Sequence, residues 1–456
     1  MSHNRRLSQS ITGGHERSRS IGNTSPIVAN SIPTFAQAAP EDLEAWMGDW
    51  RQLWARDIVD SRVVTVDVNT SVEDACNILL SEDTPCLALK STVQQSITGL
   101  FDFADVNAFL ILAATKHSLS QDELLDNSRV DEIFTAARSG HVPVCLVSNL
   151  SEKNPLNILP HDATLISLLE LFARGSHRVL IRSTDSSTDE FIGIVSDRSV
   201  LAWFASYAEK TKSLWAFLSN PLLSFSLPSL NLYSSVVATM STETVLDAMK
   251  LMSEEGVSSV AVLEEETGAL LSAVSVTDIG KIVVPSESNQ ILTTPLHQFV
   301  SFIKIPVGSE DGADQYPVYS VLTNSTLLYT MQKILATNAH RVFVSETSMG
   351  ASPIMSPGFS PNLSGIVSVV DILSLFARLA NVQDVDPTRM KRHRRASSVS
   401  STRSSDREQN LSRSNSRTGR IRRASSVKNP GSRPPNADLS SNTESTHPGA
   451  AELGKN

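Results

Sequence analysis

The sequence predicts an α/β (α+β) protein built from four copies of one helix-strand-strand-helix unit, the first preceded by a strand, arranged as two pairs between disordered tails. Three observations lead there. The order helix, apolar run, apolar run, helix recurs four times along the chain. A His-Arg pair opens the first apolar run in the second and fourth copies only, as SHRVLI (176–181) and AHRVFV (339–344), so the repeat is a doublet. Both ends are poor in apolar residues and rich in Ser, Arg, Asn and Gly, a composition that buries too little to fold.

The first element is LEAWMGDWRQLWARDIV (43–59), with Leu43, Trp46, Met47, Trp50, Leu53 and Trp54 along one helical stripe. The plain expectation is that this stripe packs on the first repeat. The sharper one is a partner-docking helix, because Trp is enriched at binding hot spots. The first repeat then reads as strand RVVTV (62–66), helix TSVEDACNILLSE (70–82), strands CLALK (86–90) and ITGLF (97–101), and helix ADVNAFLILAA (104–114). Helices are placed by a Ser/Thr start and apolar residues at helical spacing, strands by short apolar runs between turn residues.

The second repeat runs helix TLISLLELFARG (164–175), strands RVLI (178–181) and FIGIV (191–195), and helix SVLAWFASYAE (199–209). The third runs helix TETVLDAMKLMSEEG (242–256), strands SSVAVLE (258–264) and LLSAVSV (270–276), and a helix from Asp278. The fourth runs helix TLLYTMQKILATN (326–338), strands RVFVS (341–345) and SGIVSV (364–369), and helix VDILSLFARL (370–379). The expected pairs span 41–213, with repeats at 57–115 and 150–210, and 214–385, with repeats at 220–285 and 295–380. The tails are 1–40 and 386–456.

Composition narrows the function. At 456 residues the chain exceeds one ordinary core. Its net charge of −9 conceals basic tails, with four basic residues against one acidic in 1–40 and fifteen against six in 386–456. The body is therefore strongly acidic and a poor nucleic-acid surface. No apolar run approaches the roughly 20 residues of a membrane span, and MSHNRRLSQS lacks the apolar segment of a secretory signal. Cys76, Cys86 and Cys145 have no CxxC spacing, which fits a reducing compartment and argues against disulfide frameworks and zinc sites. The expected location is cytoplasm and nucleus, with KRHRR (391–395) read as an import signal or as a plain basic linker. No Gly-rich phosphate loop with Lys, HExxH or GxSxG is present, so neither catalysis nor a metal is expected.

The repeats resemble the CBS domain, a β-α-β-β-α unit whose tandem pairs bind adenine nucleotides. Its hallmark is Gly, two apolar residues, Ser or Thr, two more residues, and Asp. GIVSVVDIL (365–373) matches fully, and LSAVSVTDI (271–279) matches except for Ser272 in place of Gly. GLFDFADV (99–106) has Asp102 at the hydroxyl position, and GIVSDRSVL (193–201) has Ser199 at the Asp position. The His-Arg pairs further resemble the gamma subunit of AMP-activated kinases. These resemblances imply AMP, ADP or ATP as ligand and a homodimer through the CBS modules. His177, Arg178, His340 and Arg341 would hold phosphate, Asp278 and Asp371 ribose, with Ser196, Ser275 and Ser368 assisting. The chemistry suits those roles, since Arg is a forked donor, His a pH-tunable one, and Asp accepts from ribose hydroxyls. The same Asp residues also suit helix N-caps, and the His residues suit core packing.

Basic tails, four repeats and the Trp-rich lead-in are together similar to the fungal Sds/Moc family. That similarity implies a non-enzymatic regulatory protein of cell-cycle progression, DNA replication and cell separation, restraining a type-2A-like phosphatase under nutrient control. The alternative is an adenine-nucleotide-sensing regulatory subunit of a protein kinase complex. In the tails, RRLS (5–8), RRAS (394–397) and RRAS (422–425) mark Ser8, Ser397 and Ser425 for basophilic kinases. SPIMSPGFSP (352–361) marks Ser352, Ser356 and Ser360 for proline-directed kinases.

Overall fold

The first helices of the four repeats begin and end in the same way. Ser71, Thr164, Thr244 and Thr326 cap them, each side-chain oxygen accepting the backbone N–H three residues on. Each helix is followed by a residue at positive φ: Asp83, Gly175, Gly256 and Asn338. Glycine and short polar side chains are the residues that enter the left-handed region at low cost, so each helix stops there and its chain turns into a strand.

The computed structural model describes residues 35–115, 128–183, 190–230, 236–285, 289–303, 319–345, 363–383 and 385. Ser8, Ser352, Ser356, Ser360, Ser397, Ser425 and the run 391–395 lie outside them. A lead helix α1 (Pro40–Gln52) precedes repeat one, which comprises β1 (Thr65–Asp67), α2 (Val72–Ser81), β2 (Leu87–Lys90), β3 (Ile97–Phe101) and α3 (Phe103–Thr115). Next come α4 (Ser128–Arg138) and the single turn α5 (Val144–Val147). Repeat two comprises β4 (Ile158–Pro160), α6 (Leu165–Phe172), β5 (Arg178–Arg182), β6 (Phe191–Ser196) and α7 (Asp197–Lys210), followed by α8 (Lys212–Leu218). Repeat three comprises β7 (Ala238–Met240), α9 (Val245–Glu254), β8 (Ser259–Leu263), β9 (Leu270–Ser275) and α10 (Val276–Val283), followed by α11 (Leu296–Ile303). Repeat four comprises β10 (Ser320–Leu322), α12 (Leu327–Ala336), β11 (Arg341–Ser345), β12 (Leu363–Ser368) and α13 (Val369–Leu379).

Each repeat forms its own three-stranded sheet, the first strand parallel to the second and the second antiparallel to the third. A register shift falls at the same place in all four, between Leu89 and Lys90, Ile181 and Arg182, Val262 and Leu263, and Val344 and Ser345. The four-repeat fold class expected from the sequence is the one found. The strands β4, β7 and β10 were not legible, because three residues are too few to show an alternation. Helices α4, α8 and α11 are also additional. Helix α10 begins at Val276 rather than at Asp278, because Ser275 is its cap and Asp278 the third helical residue.

Apolar packing joins the repeats in two ways. Cys86, Ala88 and Leu100 of the first sheet pack on Leu180 and Ile194 of the second. Ala261 of the third sheet packs on Phe343, Leu363 and Ile366 of the fourth. Helices make the other contacts. The largest core combines α6 and α7 of repeat two with α12 and α13 of repeat four, and α3 of repeat one packs on α9 and α10 of repeat three.

The Trp stripe is buried, but not where expected. Trp46 and Trp50 join the core of repeats two and four rather than packing on repeat one. Trp50 meets Phe204 and Phe376 edge-on, at 5.1 and 6.0 Å between ring centroids. The reason is geometric. Repeat one places its own apolar residues around α2, β2 and α5, leaving the open end of the α7/α13 helix pair for the lead helix to cover. The three cysteines are free, Cys76 and Cys86 buried and Cys145 exposed. Among the described residues no helix is long and apolar enough to cross a membrane.

Candidate functional site

All four repeats contribute to one cavity of about 590 Å³. His177, Arg178 and Ser196 line it from repeat two, Ser275 and Asp278 from repeat three, and His340 and Arg341 from repeat four. Repeat one supplies Asp83, Thr84 and Phe103. The two His-Arg pairs meet because each stands at the start of the middle strand of its sheet, β5 or β11. The His177 carbonyl accepts the Asp197 N–H and the His340 carbonyl accepts the Val369 N–H, so each pair is tied to the start of its own repeat's second helix. The imidazole rings lie 5.7 Å apart.

Seven of the nine expected ligand residues therefore share a cavity. Ser368 and Asp371 do not line it. Asp371 is fully buried, with one oxygen accepting from the Ser368 N–H and hydroxyl and the other from Ser229 Oγ at 2.8 Å. Ser368 is the N-cap of α13 and Asp371 completes the reciprocal box, the same arrangement as Ser275 and Asp278. A ribose could reach Asp371 only by displacing Ser229.

That displacement would be costly, since the chain fills this cleft with its own backbone. A Cβ added at Gly365 would stand 1.8 Å from the Leu230 carbonyl oxygen. Two other clefts are filled likewise. Val59 and Ser61 press on Gly193 of repeat two, and Ser196 Oγ donates to Asp60. Ser148 presses on Gly99 of repeat one, and its hydroxyl donates to the Leu100 carbonyl at 2.7 Å. In each pair, the segment leading into one repeat covers the cleft of its neighbour. The corresponding segment for repeat three, 304–318, lies outside the described residues.

The filling of repeat one builds a buried polar network. Asp105 accepts from the Ser151 N–H and hydroxyl at 2.9 and 2.7 Å and from Asn154 Nδ2 at 3.1 Å. Asp102, standing where the motif has a hydroxyl, caps α3 through the Ala104 N–H and accepts from Arg178 at 2.7 Å. Arg178 also donates to Asn154 Oδ1. Burial alone would lower the Arg178 guanidinium, but Cys86 and Asp102 beside it more than offset that and keep it charged. Asp102 thus engages the very residue expected to hold phosphate. Arg341 differs, its Nη2 donating to the neutral Ser258 hydroxyl at 3.2 Å.

Burial, and then the nearby Asp102, push the Asp105 carboxyl up from 3.8 to about 7. The folded chain therefore keeps a proton between those values that the unfolded chain releases, and stability falls as pH rises across the window. Asp105→Asn removes this term. The variant should gain on wild type as pH rises from 5 to 8, by up to about 3 kcal/mol, two pKa units at about 1.4 kcal/mol each. Denaturant titrations of both proteins at each pH measure the gap, and a pH-independent difference would contradict the assignment. Comparing the two proteins cancels the opposite trend from His340, whose imidazole burial pushes down to about 4.

Sequence reasoning missed several cavity residues, among them Asp197, Arg198 and Lys281. Arg198 donates to the Leu335 and Ala339 carbonyls of repeat four, and Lys281 of repeat three pairs with Asp83 of repeat one at 3.0 Å. Asp197 carried a usable signal. It follows Ser196 where repeats three and four place Val276 and Val369 after their own capping Ser.

Comparison with known proteins finds one CBS-domain match and relatives along most of the chain. A CBS-domain family model matches residues 234–284. The protein sds23 of Aspergillus niger is 30% identical over 461 residues, which cover 85% of this chain and 87% of that protein. The chain belongs to the Sds23 family. The Sds23 protein of Yarrowia lipolytica is 29% identical, covering 86% of this chain and 79% of its own. As an Sds23-family protein with CBS repeats, the chain is a regulatory, non-catalytic molecule. Among solved structures, an archaeal homologue of the AMP-activated kinase gamma subunit from Methanocaldococcus jannaschii aligns over 71% of this chain and 100% of its own, with a TM-score of 0.47 and 13% identity.

Proposed function

We propose that this protein is a regulatory scaffold whose two CBS pairs, 41–213 and 214–385, restrain a type-2A-like phosphatase during cell-cycle progression, DNA replication and cell separation, in response to nutrient state. It acts in cytoplasm and nucleus. Its tail serines and the serines of 352–360 take phosphate from basophilic and proline-directed kinases. The carrying observation is the convergence of both His-Arg pairs, Ser275 and Asp278 on one cavity while three motif clefts are filled by the chain itself. Such a cavity suits an adenine nucleotide, AMP, ADP or ATP, as the input signal. Arg341 and His340 would meet phosphate and Asp278 ribose, whereas Arg178 is occupied by Asp102.

Affinity purification of the intact protein from dividing and starved cells, read by mass spectrometry, tests the partner. Recovery of phosphatase catalytic subunits supports this reading. Stable recovery of a protein kinase instead would establish the second reading, a nucleotide-sensing kinase subunit, which the duplicated His-Arg pairs favour. Calorimetry tests the ligand separately. A charge-assisted hydrogen bond contributes roughly 1.5–3 kcal/mol, so Arg341→Ala should weaken nucleotide binding by about tenfold to a hundredfold. Absence of binding heat and of any melting shift in millimolar nucleotide would leave the scaffold without this ligand.

A further inference from the structure

Position 197 is apolar in the other repeats that share its cap, yet here it is a carboxylate with 1% exposure. Burying an ionised group is costly unless it is paired, so its company needs explaining. Asp197 Oδ2 lies 2.8 Å from His177 Nδ1. His340 arrives from repeat four, and one donor atom from each of His177, Asp197 and His340 falls within 4.8 Å of the other two. Among the described residues, the buried Nδ1 of His340 has no hydrogen-bond partner. Two imidazoles and one carboxylate, one nitrogen unsatisfied, thus converge at the wall of an open cavity.

We propose that His177, Asp197 and His340 bind a divalent transition-metal ion, Zn²⁺ by donor type, which bridges repeats two and four and keeps an open position toward the cavity. Two His and one carboxylate form a recurrent three-ligand set for zinc, with the fourth position left to water or an incoming anion. Metal bonds of about 2.0–2.2 Å place tetrahedral ligand atoms about 3.3 Å apart, so the ligand atoms have to close by at most about 1.5 Å. The local charge permits it. The neighbouring Arg178 is neutralised by Asp102, and Arg198 is turned to the Leu335 and Ala339 carbonyls. The backbone of the ligands is already anchored, through the bonds from the Asp197 N–H to the His177 carbonyl and from the Val369 N–H to the His340 carbonyl. No cysteine takes part, so a search for cysteine spacing in the sequence does not detect the site.

This site shares His340 with the proposed phosphate contacts, so it is tested without nucleotide. The full-length chain, stripped with a chelator, is titrated with Co²⁺, following the visible absorption of four- or five-coordinate cobalt and the bound metal by elemental analysis. One equivalent per chain should bind, with displacement by Zn²⁺. Outer-shell substitutions at metal sites cost about 10–100-fold in affinity, so His340→Gln, which removes a ligand, should lose at least about 100-fold and the cobalt band. Asp197→Asn should do the same, and its circular dichroism reports whether it remains folded. His141→Gln, outside the cavity, should bind as wild type. Equal cobalt spectra in wild type and His340→Gln, or no stoichiometric uptake by wild type, would overturn the proposal.

Discussion

Trp50→Ala is expected to destabilise the protein by about 3–5 kcal/mol, the range for truncating a buried large aromatic. Trp50 has no exposure, and its ring stands edge-on to both Phe204 of repeat two and Phe376 of repeat four. Those two phenylalanines are themselves stacked, with centroids 3.8 Å apart and planes within 2°. Removing the indole leaves a cavity at the junction of three elements that cannot all collapse into it. Trp50→Phe should cost far less. It keeps an aromatic face and removes an indole N–H that has no hydrogen-bond partner among the described residues. Guanidinium denaturation of both variants measures the difference. A loss below about 1 kcal/mol for Trp50→Ala would mean that the lead helix is not part of the core.

Arg178→Ala should cost a comparable amount, about 3–5 kcal/mol, because it removes one partner of a buried ion pair and leaves the other charge uncompensated. Asp102 and Arg178 side chains are 10% and 15% exposed, and Asp105 lies beside them with no exposure. The double variant Arg178→Met with Asp102→Asn should recover most of the loss, since no isolated charge then remains. A phosphate-binding arginine would behave otherwise, losing ligand affinity with stability intact. Denaturation of the single and double variants, set beside calorimetry with nucleotide, separates the two roles. Unchanged stability in Arg178→Ala would restore it to the list of phosphate contacts.

The contrast between Arg178 and Arg341 shows how far sequence reading reaches. Both head nearly identical words, SHRVLI and AHRVFV, and both line the cavity. One is paired with a buried carboxylate and the other with a serine hydroxyl. The difference lies in Asp102, which belongs to repeat one and is 76 positions from Arg178. Its departure from the motif was visible in the sequence, as a carboxylate where the motif has a hydroxyl. What it does instead depends on the sheet-to-sheet packing of repeats one and two. The motif serines behaved differently, because a cap is a local contract. Ser275 and Ser368 bond to residues three positions on, and the S-x-x-D spacing alone announces that.

Repeat number, the helix-strand-strand-helix order within each repeat, the Ser/Thr starts of the first helices, and the duplicated His-Arg pairs are properties of the sequence by itself, because each arises from contacts within a few residues or from plain recurrence. The tertiary structure decided which clefts are open, through the paths of the segments at 59–61, 148–154 and 229–230. It also decided that His177, Asp197 and His340 meet, from strands and helices 20 to 163 positions apart in the chain. Such meetings follow from how four similar units pack on one another, and side chains on separate units carry no periodicity that links them. A linker filling a neighbour's cleft likewise leaves no trace in the motif it covers. Asp371 completes the best-matched motif in the chain, and Ser229 is what closes it.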